Sequence, residues 1–119
     1  MRHTLQATNM RLTDPIRSYV EGKLAAIERI VDPRDTSVHA DLEVGKTTKH
    51  HQHGSIFRAE INLHLAGSNL RAVAEEEDLY AAIDAMKDDI VRQLHKVKTK
   101  RTDVARRGAR SAKRRTRRG

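Results

Sequence analysis

Lys87, Arg92, Lys96, Lys98 and Lys100 fall within one apolar-striped segment, and Arg101 opens an arginine-rich run that continues to the end of the chain. Arg17 and Lys23 sit in an earlier striped segment, and Lys46 and Lys49 in a polar stretch between them. Lysine and arginine neutralise phosphates and release condensed counterions, which gives salt-sensitive affinity for a nucleic acid without base specificity. Alone, each of these residues is an ordinary solvated charge. Together, on two adjacent helices, they would form a ridge suited to an RNA groove or backbone track. Asp84, Asp88 and Asp89 interrupt that ridge. Tyr80 is placed to stack on a base if its ring is exposed. The preferred reading is that it fills the edge between helix and sheet.

Charge distribution carries more than the net value of +8. Residues 96–119 hold twelve Lys or Arg against one acid, Asp103, whereas the preceding 95 residues hold twelve against fifteen acids. A near-neutral body with a cationic end implies an acidic polymer as partner. The tail has almost no apolar residues to insert, so no membrane partner is expected. His50, His51 and His53 could share a metal, but no cysteine accompanies them and none is at helical i, i+4 spacing. A solvated loop whose imidazoles donate to phosphate or ribose is the better reading, so no metal and no cofactor are expected. Glu75, Glu76, Glu77 and Asp78 read as favourable charge before a helix and not as a catalytic pair. The chain contains no P-loop, dinucleotide fingerprint or nucleophile elbow, and no enzymatic activity or small-molecule substrate is expected. With no cysteine, no apolar run of membrane length and no apolar leader, a cytoplasmic location is the simplest expectation.

The elements that must carry these residues follow from periodicity. Leu79, Ile83, Met86, Ile90, Leu94 and Val97 make a helical stripe over residues 78–100, with Asp78 as N-cap. Ile16, Tyr19, Val20, Leu24, Ile27 and Val31 make another, capped by Thr13 or Asp14 and ended by Asp32-Pro33. Residues 37–44, 56–65 and 69–75 alternate apolar and polar, and residues 3–9 do so weakly. The order is β-α-β-β-β-α. It predicts an α+β two-layer sandwich: a mostly antiparallel four-stranded sheet with two helices on one face. Residues 1–101 make the folded domain and 102–119 a disordered Arg/Lys-rich tail.

The segment D-L-Y-A-A-I-D at Asp78–Asp84, followed by R-Q-L at Arg92–Leu94, resembles the ribosome hibernation-promoting factor family, which includes the ribosome-associated translation inhibitors. T-D-P-I-R-S-Y-V-E-G-K-L resembles its first helix, and H-H-Q-H-G-S-I-F-R-A-E-I-N-L its loop and third strand. The resemblance covers roughly residues 1–101. It implies binding to the small (30S) ribosomal subunit and its 16S rRNA, in the channel that mRNA and the A- and P-site tRNAs use. It also implies inhibition of translation in stress or stationary phase. By position it carries RNA contact onto Arg17, Lys23, Lys46, Lys49, Arg92, Lys96, Lys98 and Lys100. No second, dimerising domain follows here, so a short member is expected. Asp89 and Glu76-Glu77 depart from the family pattern and lower the local positive potential. The arginine-rich tail is longer than in most short members, and an arm reaching further along rRNA is the expected compensation.

Two rival functions remain open from the residues alone. A general basic RNA- or DNA-binding protein is what the tail by itself would allow. A nuclease using the histidine cluster is the enzymatic alternative.

Overall fold

The alternating segments become strands because one side of each must meet apolar surface while the other meets water. The computed structural model describes residues 1–47 and 56–117, with side chains described through Lys100. Its elements are β1 (Arg2–Thr8), α1 (Asp14–Glu28), β2 (His39–Thr47), β3 (Ile56–Leu65), β4 (Ser68–Glu76) and α2 (Leu79–Arg117). The sheet order is β1-β2-β3-β4. β1 pairs parallel with β2, and α1 is the crossover between them. β2, β3 and β4 form an antiparallel meander. This is the α+β layered arrangement that the alternation and the two stripes predict. The two-residue connection Ala66-Gly67 closes the last hairpin, and Gly67 takes φ 77°, which a residue with a Cβ adopts only with strain.

The core is one aliphatic layer. Ala40, Leu42 and Val44 of β2, Ala59, Ile61 and Leu63 of β3 and Ala72 of β4 point into it. Ile16, Val20, Leu24 and Ile27 of α1 and Leu79, Ile83, Met86, Ile90 and Leu94 of α2 cover them. Each fully buried Ile or Leu contributes roughly 1.5–3 kcal/mol of transfer free energy. No aromatic ring is needed to fill the space, because the small Ala40, Ala59 and Ala72 let the helices lie close to the sheet. Among the described residues no charged or polar side chain is buried.

Caps set the helix starts. Thr13 is the N-cap of α1, its Oγ1 accepting from the Ile16 N–H at 3.4 Å, and Pro15 follows in the first turn. Asp78 caps α2, its carboxylate accepting from the Ala81 N–H at 3.0 Å. Two extents differ from the sequence expectation. The apolar stripe of α1 runs on to Val31, which is buried, but the helix stops at Glu28. Pro33 disfavours helical geometry at Asp32, whose carboxylate instead accepts from the Arg34 N–H at 2.9 Å and makes a local turn. At the other end, the periodic pattern stops at Lys100 while the backbone of α2 continues to Arg117, through a segment rich in the helix formers Arg, Lys and Ala.

Gly22 sits inside α1, exposed, with nothing within 4 Å of where a Cβ would stand. A glycine in a helix interior costs about 1 kcal/mol relative to alanine. Gly22→Ala is therefore expected to raise unfolding stability by about that amount, measured as a higher urea midpoint at unchanged m-value.

Candidate nucleic-acid interface

Two surfaces are left once the core is closed: the outer face of the sheet and the outer side of the helix pair. The outer sheet face is polar, but its charges are largely matched within the fold. Glu60 accepts from both Arg58 and Arg71, with the Arg58 contact at 3.2 Å. The Arg71 guanidinium, then the charge of Arg58, holds the Glu60 carboxyl below the usual carboxylate range despite its partial burial. Thr8 donates to Glu43 at 2.9 Å and Thr4 to Asp41 at 2.8 Å. A face whose cations already hold carboxylates has little left for phosphate.

The helix pair is held by a polar clasp at its N-terminal half. The Tyr19 hydroxyl of α1 donates to Asp84 Oδ1 of α2 at 2.6 Å, and Lys23 Nζ pairs with the same oxygen at 3.0 Å. The Lys23 ammonium also lies 4.9 Å from the centre of the Tyr19 ring, and Tyr80 meets that ring edge-on at 4.8 Å. These contacts refine what the sequence implies for two residues. Lys23 is half-buried and tied to Asp84, so its charge is shared within the protein before any partner arrives. Tyr80 is 38% exposed, its ring perpendicular to that of Tyr19.

The remaining predicted cations divide by exposure. Lys87 is half-buried and pairs with Asp88 at 3.5 Å; Arg92 is exposed and reaches Asp89 at 3.8 Å. The acids that interrupt the ridge in the sequence are thus the partners of its cations. Lys96, Lys98 and Lys100 are exposed beyond the last of these acids, and Arg92, Lys96 and Lys100 lie on one side of α2 at i, i+4 spacing. Arg17 is exposed on α1, and Lys46 is exposed near the end of β2. Arg101 follows in the backbone of α2, its side chain outside the described residues, as are Lys49 and the His50, His51 and His53 cluster. Gln93 Nε2 donates to the Arg71 carbonyl of β4 at 2.8 Å and fixes the rotation of α2 at the point where the exposed lysines begin. Sequence reasoning missed Tyr19 and Asp84 as a joined pair. Tyr19 counted only as an apolar stripe position and Asp84 only as an interruption. Their separation of 65 residues hides the contact, and only an acid among basic helix residues hinted at it.

The fold and its charges thus define a small α+β binding domain with an exposed cationic helix end. The chain belongs to the family described as Sigma 54 modulation protein / S30EA ribosomal protein, whose model matches residues 4–102. It is 37% identical over 103 residues to the ribosome hibernation promoting factor of Azotobacter vinelandii, covering 87% of this chain and 88% of that one. Identity to the factor of the same name from Escherichia coli is 36% over 100 residues, covering 84% of this chain and 96% of that one. The fold is similar to the N-terminal domain of Thermus thermophilus Protein Y, with a TM-score of 0.65 and 32% identity over 82% of this chain and 99% of that one. The family consists of ribosome hibernation factors, which are binding proteins and not enzymes.

The clasp predicts a pH signature. The Tyr19 hydrogen bond, with Lys23 behind it, holds the Asp84 carboxyl below its usual range. A depressed carboxylate stabilises the fold above its unfolded-state pKa of about 3.9 and loses that contribution as pH falls through the folded value. Asp84→Asn should therefore lower stability at pH 7 by on the order of 1 kcal/mol, with solvent screening at this partly exposed site limiting the loss. The gap between variant and parent should narrow as pH falls below the unfolded-state value of about 3.9, measured by urea unfolding across pH.

Proposed function

We propose that this protein silences translation by occupying the small (30S) ribosomal subunit in the channel that mRNA and the A- and P-site tRNAs otherwise fill. The carrying observation is the separation of charge: a matched, near-neutral body from which Lys96, Lys98 and Lys100 emerge exposed at the end of α2. Membership of the hibernation-factor family supports the ribosome as the partner. The aliphatic body is a rigid wedge, and its mechanism is steric: mRNA and tRNA cannot lie where it lies. Affinity comes from phosphate contacts along 16S rRNA, made by Arg17, Lys46, Lys49, Arg92, Lys96, Lys98, Lys100 and Arg101, with Lys23 and Lys87 supporting from the helix interface. Tyr80, partly exposed beside Tyr19, stacks on a base. Residues 102–119 act as a separate cationic arm that follows rRNA beyond the wedge. The protein works in the cytoplasm, during stress or stationary phase, when idle ribosomes need protection. Asp88 and Asp89 hold Lys87 and Arg92 in place before binding and are displaced in part by phosphate.

The general nucleic-acid-binder reading draws on one feature only, the twelve Lys or Arg in residues 96–119. The two readings separate in a competition against initiator tRNA on 30S subunits near 0.15 M salt. Changing Arg92, Lys96 and Lys100 together to Gln should weaken occupancy at least tenfold. Their side chains are exposed, so the fold should be unaffected. The salt slope of binding should also fall by about two to three, because each phosphate that is no longer neutralised removes roughly one unit of slope. Unchanged competition by the triple variant would exclude the helix end as the rRNA-binding element.

A further inference from the structure

The outer sheet face carries a side-chain cluster that phosphate binding does not use. His39 on β2 and His64 on β3 are direct partners in the antiparallel register. Their rings stack, centroids 4.1 Å apart and planes 18° from parallel. Asp41, two residues along β2, projects from the same face. Its Oδ2 lies 3.8 Å from His39 Nε2 and 3.3 Å from His64 Nε2. One ligand atom from each of the three residues lies within 4.8 Å of the other two, and all three residues are half-buried.

Orientation adds to proximity. His64 Nδ1 is 2.9 Å from Asn69 Oδ1, and His39 Nδ1 is 3.4 Å from the Ser37 carbonyl oxygen. Both oxygens are acceptors, so each imidazole carries its proton on Nδ1, a tautomer assigned from its partner, and turns an Nε2 lone pair toward Asp41. The other Asp41 oxygen, Oδ1, accepts from Thr4 Oγ1 at 2.8 Å. Each of the three groups is thus anchored by its far atom while its near atom faces a shared space. Two neutral imidazoles and a carboxylate facing one another are all acceptors, an arrangement that a cation between them satisfies. Outer-shell partners on the far atoms are what fix the tautomer and aim of metal-bound histidine.

We propose that His39, Asp41 and His64 form a site for a divalent transition metal of the zinc class on the outer face of the sheet. Two imidazole nitrogens with one carboxylate suit Zn²⁺, and the absence of thiolate disfavours the softer Cu(I). With bonds of about 2.0–2.1 Å, ligand atoms of a tetrahedral zinc ion stand roughly 3.3 Å apart. The His64–Asp41 separation already has that value, whereas His39 Nε2 stands 3.8 Å from Asp41, and its ring must tilt out of the stack on His64 for both Nε2 lone pairs to meet one ion. Beside His39 and Asp41 the surface dips into a depression lined also by Met1, Arg2, His3 and Thr4, which leaves room for water or another ligand at the fourth position. Arg2, opposite His39 on β1, is the neighbouring cation and tempers the affinity. A bound ion would clip β2 to β3 and, through Thr4, steady the edge strand β1. The two histidines come from different strands, so this site is distinct in sequence from the H-H-x-H loop.

Full-length protein titrated with Zn²⁺ against a chromophoric chelator, and with Co²⁺ followed by visible absorption, tests the assignment. One equivalent should bind, and Zn²⁺ should raise the midpoint of thermal unfolding. His39→Gln and His64→Gln should each weaken binding at least tenfold and remove the thermal shift. Asp41→Asn, which keeps an acceptor for Thr4, serves as a second variant and should weaken binding by a smaller factor. A triple change of His50, His51 and His53 to Gln should leave both readouts unchanged. Absence of saturable binding would overturn the proposal. So would binding that survives His39→Gln and His64→Gln and falls only in the loop variant.

Discussion

The seam between α2 and the inner face of the sheet is the contact on which the rest depends. Leu79, Ile83, Met86, Ile90 and Leu94 cover the β3 and β4 part of the sheet, where Ala59, Ile61, Leu63 and Ala72 point inward, all with little or no exposure. Because the seam is purely aliphatic, it fixes how deeply the helix sits through shape alone, and it orients the helix without using any charge. Every described cation on α2, from Lys87 to Lys100, is therefore left on the surface or the flank. The seam ends at Leu94, with Val97 half-buried, and the exposed lysines begin within that last turn. Core and cationic surface are two faces of one helix, and the point at which one gives way to the other is fixed by where the sheet ends.

Electrostatics within the body work toward neutrality. Lys23 is matched by Asp84, Lys87 by Asp88, Arg92 by Asp89, and Arg58 with Arg71 by Glu60. Exposed pairs of this kind contribute little to stability, typically under about 1 kcal/mol each. Their greater effect is on partner choice. A body that cancels its own charge is a poor magnet for arbitrary phosphate polymers and leaves steering to the helix end and the residues beyond. Shape can then decide where the wedge stays, once long-range attraction has brought it to RNA.

Much of this was legible in the residue order. Strand β3 occupies the span that alternation indicates, residues 56–65, because Ala59, Ile61 and Leu63 on its inner side are buried while Arg58, Glu60, Asn62 and His64 on the other side keep partial access to water. The helical stripe of α2 and its Asp78 cap are equally plain, since both are local patterns of period 3.6 and a single hydrogen-bonding side chain. Contacts between distant segments were not legible. The parallel pairing of β1 with β2 depends on the crossover through α1, and the stacking of His39 on His64 depends on a register set across a long polar connection. A one-residue slip would have sent one of those rings to the opposite face. The early stop of α1 was masked by Val31, which keeps the helical beat while already belonging to the turn.

Whether wedge or arm confers specificity is decided most directly by removing the arm. A chain ending at Arg101 should still compete with initiator tRNA for 30S subunits near 0.15 M salt, losing overall affinity but not its preference for the ribosome over naked duplex RNA. If that shortened chain no longer displaces tRNA, while the full chain binds duplex and 30S alike, the folded body is not the recognising element and the steric mechanism fails.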